Sequence, residues 1–432
     1  MAIYGLYENF LRTDRFMARL VTLGYETQAP VSSVVGPENP NGVGTAGILT
    51  RDTTVQRSGS ACLKCDSGSP NGPTYAPIFN VTASKTFYVR VYLRFGTLPS
   101  VTVPVLGGLP PSSMGVSAQL TSTGKLRLIN NVTSAQIGSD SSATIAINTY
   151  YRIELNIVTN ASTQITSGEL RLDGATVASF SGLTISSAIP TIYVGWVDTP
   201  GTNNVFCYVD DVAVNDSTGT ANNTWCGAGA VVLLLPTADN AVGTNWTRGN
   251  GTVISGGNGF QSVDNTPPVG IADLGGAGAD TGQLRNAGSN ANSNYDATMQ
   301  TYTAAGVPSG ATINAVIPWV WTGAPVVTSA KLGTVGVVSN PAITNVNLAA
   351  GGTAGAFWSG VAAGTFPTGW KPSSGTITEN PSVTLGTAPV MRITQVTSST
   401  RIAIVCFMGI YVDFTAVSGT TYTKAGYAKE GA

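Results

Sequence analysis

The sequence of 432 residues contains no histidine and few charged residues. Without histidine the chain cannot assemble a Ser-His-Asp or Cys-His catalytic group, a histidine-ligated zinc or iron site, or the usual general base near neutral pH. Lys, Arg, Asp and Glu make up 10% of the residues, and the formal net charge is −1; a typical soluble domain has about 25% charged residues. No stretch concentrates Lys and Arg, which argues against nucleic acid as a partner because phosphate binding requires clustered positive charge.

Cysteine and long apolar stretches are also scarce. Five cysteines, an odd number, do not form a disulfide framework in a chain of this length. The longest apolar runs, at 231–236 and 402–412, are shorter than the about 20 residues that cross a membrane, so we expect no membrane insertion. The first 20 residues carry acidic and basic side chains throughout and lack the apolar core of a secretory signal. We therefore expect synthesis and assembly in a cytoplasm.

The chain is instead rich in Gly, Thr, Ser and Asn, and its apolar and polar residues alternate as they do in β-strands. Residues Thr86–Phe95, TFYVRVYLRF, place an apolar residue at every second position, which predicts a strand buried on one face. The first half has further strand patterns, with an Asp173-Gly174 hairpin signal between two of them, at 60–66, 75–80, 125–130, 150–158, 169–173, 176–180, 191–197 and 204–214. So many short strands predict an antiparallel two-sheet sandwich or jelly roll.

The second half has its own strand patterns, at 231–235, 298–303, 313–321, 326–338, 390–395 and 401–414. The last of these runs is apolar on both faces and predicts a central strand, in which Gly409 marks a bulge or a close backbone approach. Residues 275–294 are mostly Gly, Ala, Ser and Asn, which predicts a long surface loop.

A chain of this length is expected to form about two domains. The predicted fold class is all-β, with two antiparallel β-sandwich (jelly-roll) domains in tandem, a short N-terminal helix or arm, and an extended C-terminal tail. The N-terminal helix is suggested by the helical spacing of Phe10, Met17 and Val21. The predicted boundaries are an arm or helix at 1–30, a first sandwich at 31–217, a linker at 218–228, a second sandwich at 229–417 and a tail at 418–432.

Carboxylates are the only side chains left for hydrolytic catalysis, and their pattern does not favour it. Glycoside hydrolysis needs two carboxylates about 5–10 Å apart. Glu154 and Glu169 lie on the polar faces of predicted strands beside Arg152 and Arg171, which predicts solvated cross-strand charge pairs. We therefore expect no enzyme activity.

The cysteines are predicted to be buried thiols. Cys62 and Cys65 have the spacing of a metal or redox motif, but residues three apart on a strand face opposite sides, and no second pair completes a zinc site. Cys207 and Cys406 lie in apolar strand patterns and are predicted to pack as small hydrophobic residues. Cys226 lies in the predicted linker without an obvious mate.

Asp210, Asp211 and Asp216 lie near the end of the last predicted strand of the first domain. Carboxylates at a strand end can hold calcium, although hydrogen bonding to loop amides accounts for the same residues. We predict no cofactor and keep a structural calcium ion as the alternative.

Tryptophan is the candidate for ligand contact. Trp358 and Trp370 lie in Gly-rich segments of the second domain and are the candidate glycan-contact residues, since aromatic rings stack on sugars. Trp319 and Trp321 share one face of a predicted strand. Packing in the core is nevertheless the default expectation for a tryptophan, and it applies to all four side chains.

Four segments within residues 20–217 carry a family resemblance: LGYET at Leu23–Thr27, RSGSACLK at Arg57–Lys64, YYRIEL at Tyr150–Leu155 and YVDDVAVND at Tyr208–Asp216. They are similar to the concanavalin A-like or laminin-G-like jelly rolls found in virion proteins of tailed bacteriophages. Three segments of the second half resemble the domain that often follows in such proteins: LLPTAD at Leu234–Asp239, NWT at Asn245–Thr247 and FMGIYVD at Phe407–Asp413.

This resemblance implies a structural, non-enzymatic virion component, most simply a minor tail or tail-tip protein. Its partners would be other virion proteins and copies of itself, and it would be assembled in the host cytoplasm and located in the virion. It transfers no catalytic, metal-binding or cofactor-binding residue. The alternatives are an adhesin that binds a host receptor or host cell-surface glycans, and a decoration protein of the capsid surface.

Overall fold

The computed structural model of the protein describes most of both sequence halves, namely residues 18–26, 48–68, 72–108, 115–185, 191–201, 204–243, 246–248, 254, 259–264, 284–286, 293–323, 332–341, 343–347, 371–374, 377–395 and 403–416. These residues belong to two compact units. The N-terminal unit comprises the described parts of 18–25 and 48–231, and the C-terminal unit comprises Glu26 and the described parts of 232–416.

The strands of the N-terminal unit follow one another along the chain as β1 Arg19–Leu23, β2 Ile48–Asp52, β3 Cys62–Asp66, β4 Thr74–Asn80, β5 Thr86–Phe95, β6 Val103–Gly107, β7 Val116–Leu120, β8 Leu126–Asn130, β9 Ala135–Ile137, β10 Tyr150–Thr159, β11 Ile165–Leu172, β12 Ala175–Ser181, β13 Thr191–Trp196 and β14 Phe206–Asp216. They form an eight-stranded sheet in the order β12-β11-β10-β5-β14-β3-β2, with β1 paired to β14, and a six-stranded sheet in the order β4-β13-β6-β7-β8-β9. All their pairings are antiparallel.

The core of the N-terminal unit lies between its two sheets. Phe87 of the larger sheet contacts Phe79 of the smaller one at 5.1 Å between ring centres, and Phe95 contacts Trp196 in the same way at 5.6 Å. The four rings are buried. Aromatic contacts of this kind join two sheet faces into a sandwich.

Strand β5 shows where the alternation predicts correctly and where it does not. The apolar residues at every second position, from Phe87 to Phe95, are buried as predicted. The opposite face is predicted to be exposed, but Arg90 and Tyr92 are buried there as well. The reason lies outside the strand, because the guanidinium carbon of Arg57 stands 3.4 Å from the centre of the Tyr92 ring and covers it.

The hairpin signal is confirmed. Strands β11 and β12 are antiparallel neighbours joined at Asp173 and Gly174, whose φ angles are +50° and +87°. Positive φ at both central residues is the property that selects Asp-Gly in a tight hairpin, since it matches the twist of the flanking strands.

The strands of the C-terminal unit begin at its boundary with β15 Ala230–Leu234 and continue as β16 Pro236–Val242, β17 Trp246–Arg248, β18 Leu284–Asn286, β19 Ser293–Met299, β20 Thr312–Gly323, β21 Leu332–Ser339, β22 Ile343–Asn347, β23 Lys371–Ser374, β24 Thr378–Glu379, β25 Val390–Gln395 and β26 Ala403–Thr415. One sheet has seven strands in the order β17-β18-β26-β20-β23, with β15 paired to β26 and β24 to β20; the other has five in the order β16-β19-β25-β21-β22. Between these two sheets, the buried side chains of Trp246 and Tyr295 contact each other, with 5.9 Å between their ring centres.

The central position of β26 is confirmed, because β18 and β20 pair with its two sides. Gly409 lies in a regular stretch of its register with β20, so it does not mark a bulge. Gly409 does mark a close approach, but the approaching group is a side chain and not a backbone. A Cβ atom at this position would stand 2.6 Å from Cδ1 of Leu233.

Three element predictions are wrong in part. Strand β19 ends at Met299, and residues 301–306 form turns closed by backbone hydrogen bonds from Ala305 and Gly306. The predicted loop at 275–294 contains strand β18. Val21, assigned to an N-terminal helix by its spacing, lies in strand β1 because this segment pairs with the apolar strand β14.

The all-β fold class with antiparallel sandwiches is confirmed. The remaining residues of the predicted N-terminal helix, and the predicted C-terminal tail, lie outside the described residues. Within the described part of the chain, no helix is long and apolar enough to span a membrane.

Candidate functional site

The middle of strand β14, Phe206–Asp216, carries a polar cluster that the sandwich encloses. We call it the buried Asp–Arg cluster; its members are Arg57, Ser58, Arg90, Asp210 and Asp211, all buried. Asp210 and Asp211 therefore do not lie near a strand end, contrary to the prediction from the sequence pattern. The pairing of β14 with β5 shifts register between Asp210 and Ala213, which is a β-bulge. Asp211 sits at this bulge with φ +49°, a left-handed conformation that Asp tolerates better than most residues.

The two carboxylates of the cluster are saturated by donors from the protein. Asp210 accepts the backbone N–H of Arg57 at 2.7 Å and that of Asp211 at 2.8 Å. Asp211 accepts the Arg57 guanidinium at 2.5 Å, the backbone N–H of Val231 at 2.6 Å and the hydroxyl of Ser58. Hydrogen bonds to a carboxylate are among the stronger ones in proteins, and these hold the two side chains in place.

The two arginines connect the cluster to its surroundings. Besides its ion pair with Asp211, Arg57 donates to the backbone carbonyl of Gly229 at 2.8 Å and stacks over Tyr92. Arg90 donates through Nε to the backbone carbonyl of Asp211 at 3.0 Å. A planar guanidinium suits this role, since it can pair with a carboxylate and stack on an aromatic face at once.

The cluster fastens the end of the unit to the sheet. The Ser58 hydroxyl oxygen, which donates to Asp211, also lies 2.9 Å from the carbonyl oxygen of Val231, and Val231 donates its N–H to Asp211. Together with the bond from Arg57 to Gly229, these contacts hold residues 229–231 against the strands. Both carboxylates are 0% exposed, so a substrate in solution cannot reach them. The cluster is a structural clamp, meaning that its contacts hold residues 229–231 in place.

The acidic residues considered for calcium are therefore engaged by the protein itself. Asp216, the third of them, accepts the N–H of Thr218 at 2.8 Å and pairs with the Lys85 ammonium at 3.2 Å. Among the described residues, no group of three or more His, Cys, Asp or Glu side chains is placed to hold a metal ion.

Glu154 and Glu169 differ from their prediction as solvated cross-strand pairs. Arg152 pairs with Glu154 at 3.2 Å and Arg171 with Glu169 at 2.7 Å, in each case along one strand. Glu154 is only 1% exposed, because the segment that follows β14 covers it and Gly227 donates its N–H to the carboxylate at 2.9 Å. The prediction misses this because the covering segment is remote in sequence.

Glu169 has a pKa below its usual value. Partial burial alone would raise the pKa of this carboxyl, but hydrogen bonds from Arg171 and Thr176 and the charge of Arg171 outweigh burial. The bonds measure 2.7 Å each. This is the balance expected when an ion pair stabilises the charged form.

The predicted linker packs against the N-terminal unit. Residues 217–229 contain no strand. The Trp225 ring contacts Tyr88 at 5.5 Å between ring centres and lies 3.8 Å from the Arg171 guanidinium. Cys226 donates its thiol to the carbonyl of Tyr88 at 3.4 Å. The segment thus forms part of the outer layer of the larger sheet.

Another part of the same sheet carries a row of cations and aromatic rings, which we call the cation–aromatic surface; its members are Lys64, Arg94, Phe206 and Tyr208. The ammonium of Lys64 lies 4.9 Å from the centre of the Phe206 ring, and the Arg94 guanidinium lies 5.2 Å from that of Tyr208. The two rings meet edge to face at 5.8 Å. Lys64 also pairs with Asp66 at 2.9 Å.

The exposure of this surface is uneven. Lys64, Arg94 and Phe206 are half-buried, whereas Tyr208 is 7% exposed. Burial and the charge of Asp52 raise the pKa of Tyr208, so its hydroxyl stays protonated. Chemically, the surface offers the partly accessible Phe206 ring with the Lys64 ammonium over it, while the Arg94 guanidinium lies over the neighbouring Tyr208 ring.

Among its described residues, the C-terminal unit has a polar centre at Asp239. Its carboxylate accepts the Tyr295 hydroxyl at 2.5 Å and the backbone N–H groups of Gly259 and Phe260 at 2.8 and 2.7 Å. Burial raises the pKa of Tyr295, and the hydrogen bond to Asp239 raises it further. The centre ties a short 3-10 turn at Phe260–Ser262 to strand β16.

The predicted glycan-contact residues, Trp358 and Trp370, lie outside the described residues. Trp319 is in strand β20, where it is buried and meets Tyr411 edge to face at 5.8 Å. Its neighbour Trp321 is in the same strand. For Trp319 the structure therefore supports packing in the core.

The sequence reasoning identifies Asp210 and Asp211 but misses Arg57, Arg90 and the cation–aromatic surface. Arg57 lies in a stretch without strand, 153 residues before Asp210. Only the alternation of Arg90 with apolar residues on β5 signals a position on the sheet, and it predicts the wrong environment. A pattern along one segment cannot reveal which remote segment will cover it.

No protein-family model and no curated protein matches the sequence. Among solved structures, part of the chain is similar to the cellulose-induced protein Cip1, with 18% identity over 48% of this chain and 99% of that one and a TM-score of 0.35. An endo-β-1,4-glucuronan lyase from the fungus Trichoderma reesei is 11% identical over 46% of this chain and 98% of the lyase, with a TM-score of 0.34. A Trypanosoma rangeli sialidase gives 15% identity over 46% of this chain and 35% of that one, with a TM-score of 0.27.

These similarities concern the course of an all-β, jelly-roll-like sandwich. At such identities and TM-scores they carry no information on activity, ligand or site residues for this chain.

Proposed function

We propose that this protein is a structural component of a tailed-phage virion without enzyme activity, most simply a minor tail or tail-tip protein. It acts through contacts with other virion proteins and with copies of itself. The family resemblance of residues 20–217 suggests the virion, and the geometry of the acidic residues favours a structural role.

The main support for a structural role is that the two carboxylates of the buried Asp–Arg cluster are enclosed. Hydrolases of sugar polymers present two accessible carboxylates about 5–10 Å apart. Here Asp210 and Asp211 are enclosed and bonded to backbone amides and to Arg57, and Glu154 is covered by the chain near Gly227. These groups stabilise the sandwich and are closed to a substrate.

The composition supports the same function. Charged residues make up 10% of the chain and the net charge is −1. Repulsion between copies is therefore weak, which suits a protein that is packed in an assembly.

The test begins with particles purified from cells that carry this coding sequence. Quantitative mass spectrometry of a density-gradient fraction is expected to find the protein at a fixed number of copies per particle. Cryo-electron microscopy then locates it: copies in the tail or its tip support the proposal, and copies on the capsid lattice support the decoration protein. Absence from the particles, with the protein abundant in the soluble lysate, would overturn the virion role.

Glycan binding is the second candidate, and the cation–aromatic surface favours it. Sugar rings stack on aromatic side chains, and carboxylates of acidic sugars pair with Lys and Arg. Phe206 supplies a partly exposed ring in contact with Lys64 and Tyr208. This surface would take an acidic oligosaccharide in preference to a neutral one.

Calorimetric titration with acidic and neutral oligosaccharides tests this candidate and distinguishes two locations. If the cation–aromatic surface binds, Phe206→Ala abolishes saturable binding while Trp358→Ala and Trp370→Ala keep it. If Trp358 and Trp370 bind the sugar, the pattern is reversed. The absence of saturable binding by the unmodified protein would reject an adhesin for the glycans tried.

A further inference from the structure

Two cysteines of the N-terminal unit face each other across neighbouring strands. Strands β3 and β14 are antiparallel neighbours, and their register places Cys207 directly opposite Cys65. Both side chains are buried, and both are free thiols. The pair belongs to neither the buried Asp–Arg cluster nor the cation–aromatic surface.

The geometry of the pair is that of two thiols ready to be linked. Residues directly opposite on antiparallel strands have Cα atoms about 4.5–5.5 Å apart, which lies within the range of about 4.4–6.8 Å found for disulfides. The Cys65 side chain is near enough to the Cys207 thiol to raise its pKa. The Sγ atom of Cys65 also packs against strand β13, 2.9 Å from where a Cβ atom on Gly195 would stand, so it points between the two sheets.

We propose that Cys65 and Cys207 form a reversible disulfide site, closed by a low-molecular-weight disulfide such as oxidised glutathione. One cysteine thiolate attacks the small disulfide, forms a mixed disulfide and releases the first small thiol. The second cysteine thiolate then attacks the mixed disulfide, forms the Cys65–Cys207 bond and releases the second small thiol. The two cysteines together lose two protons and two electrons, and the small disulfide is reduced to two thiols.

The other described cysteines are placed differently. Cys62 lies three residues before Cys65 on strand β3, so its side chain leaves the opposite face of the sheet, where it contacts the Tyr150 hydroxyl. Cys226 donates its thiol to backbone carbonyls of Tyr88 and Ala213. Neither is opposite another cysteine in the strand registers of this unit.

Burial makes the closure slow without preventing it. Burial raises the pKa of the Cys207 thiol, and the neighbouring Cys65 side chain raises it further, so little thiolate is present. Reaction therefore requires transient opening, for which β3 is well placed because only the edge strand β2 lies beyond it in the sheet. The site does not depend on the virion role, since its chemistry needs only the strand register.

The experiment treats the reduced full-length protein with oxidised glutathione in mild urea below the unfolding transition, alkylates the remaining thiols and maps the peptides. Trypsin cleaves after Lys64 and separates Cys62 from Cys65, while chymotrypsin cleaves after Tyr208 and separates Cys207 from Cys226. The expected product is one linked peptide pair containing Cys65 and Cys207. The oxidised protein is expected to melt at least about 5 °C higher, because the link closes a long loop in the unfolded chain.

The controls separate this bond from others. Cys226→Ser is expected to keep both the linked pair and the rise in Tm, whereas Cys65→Ser and Cys207→Ala lose both. The peptide map of the unmodified protein decides the matter even if one of these variants folds poorly. Alkylation of both Cys65 and Cys207 after oxidation, or a link from either to another cysteine, would overturn the proposal.

Discussion

At the scale of single residues, the stability of the N-terminal unit depends on charges that are removed from water. Asp211 is the centre of this arrangement, because its carboxylate meets Arg57, Ser58 and Val231 at once. Enclosing two charges carries a desolvation cost that is recovered only while both partners are present. Removing either partner is therefore expected to destabilise the unit strongly, although only a small side-chain group is changed.

Substitution Asp211→Asn is expected to lower the free energy of unfolding by about 3–5 kcal/mol, since it breaks the enclosed ion pair between Asp211 and Arg57. Asn has the same shape and tolerates the positive φ at this position. Its NH2 group replaces one of the two accepting oxygens, so the change removes the charge together with a hydrogen-bond acceptor. Urea denaturation followed by tryptophan fluorescence measures it. The control Glu169→Gln removes a partly exposed pair and is expected to cost less than about 1 kcal/mol; equal losses in the two variants would contradict the clamp.

The pH dependence of stability includes a contribution from Glu169. The pKa of this carboxyl in the folded protein is below its ordinary value of 4.5, so folding favours the ionised form. Its contribution is fully present above pH 4.5 and is lost as the pH falls through the lower pKa of the folded state. Melting temperatures measured from pH 6 to about pH 2 should therefore fall less steeply for Glu169→Gln; parallel curves would show that the ion pair with Arg171 adds nothing.

At the scale of elements, the sandwich depends on places where two backbones nearly touch. Strand β13 lies between β4 and β6 in the smaller sheet. Its Gly195 has φ +112°, and a Cβ atom there would stand 2.6 Å from the carbonyl oxygen of Thr74. Only glycine combines this backbone conformation with so close an approach.

Substitution Gly195→Ala is expected to destabilise the protein by about 2–4 kcal/mol, because backbone atoms of β4 must move to admit the methyl group. Gly182→Ala is the matched control: its φ is +69°, but the space around it is open, so it carries conformational strain of about 1 kcal/mol without a clash. Urea denaturation of both variants gives the comparison. A loss at Gly195 no larger than that at Gly182 would show that the sheet adapts at no cost.

At the scale of the whole molecule, the N-terminal unit extends beyond its last strand. The sequence pattern predicts that the first domain ends at 217, whereas the unit of the structure runs to Val231. Residues 217–231 add Trp225 to the sheet surface and supply the carbonyl and amide groups that complete the buried Asp–Arg cluster. The boundary is thus set by polar contacts, which leave no periodic pattern.

Two fragments test this boundary. Residues 1–231 are expected to unfold cooperatively. Residues 1–217 lack the backbone groups of Gly229 and Val231 that bond to the cluster, and should melt at least about 5 °C lower or aggregate. Circular dichroism during heating measures both. Identical transitions would mean that the segment after 217 contributes no stability.

Sequence alone determined the fold class, because period-two alternation is a local property of the chain. Strand β5 spans the ten residues predicted for it, and β25 spans the six predicted, since neither depends on a remote partner to define its ends. The Asp173-Gly174 hairpin is local in the same sense. The central position of β26 could be predicted because a strand with two apolar faces must be covered on both.

Only the tertiary structure decided what the polar residues do. Whether Arg90 faces water, whether Glu154 is solvated and whether Cys65 meets Cys207 depend on segments that lie far apart in sequence and meet through strand order. Burial and pairing are properties of the assembled sheets, and loop closure brings remote groups together without any nearby signal. The chain thus determined its strands by its own pattern, and the packing of those strands determined its charges, its thiols and the end of its first unit.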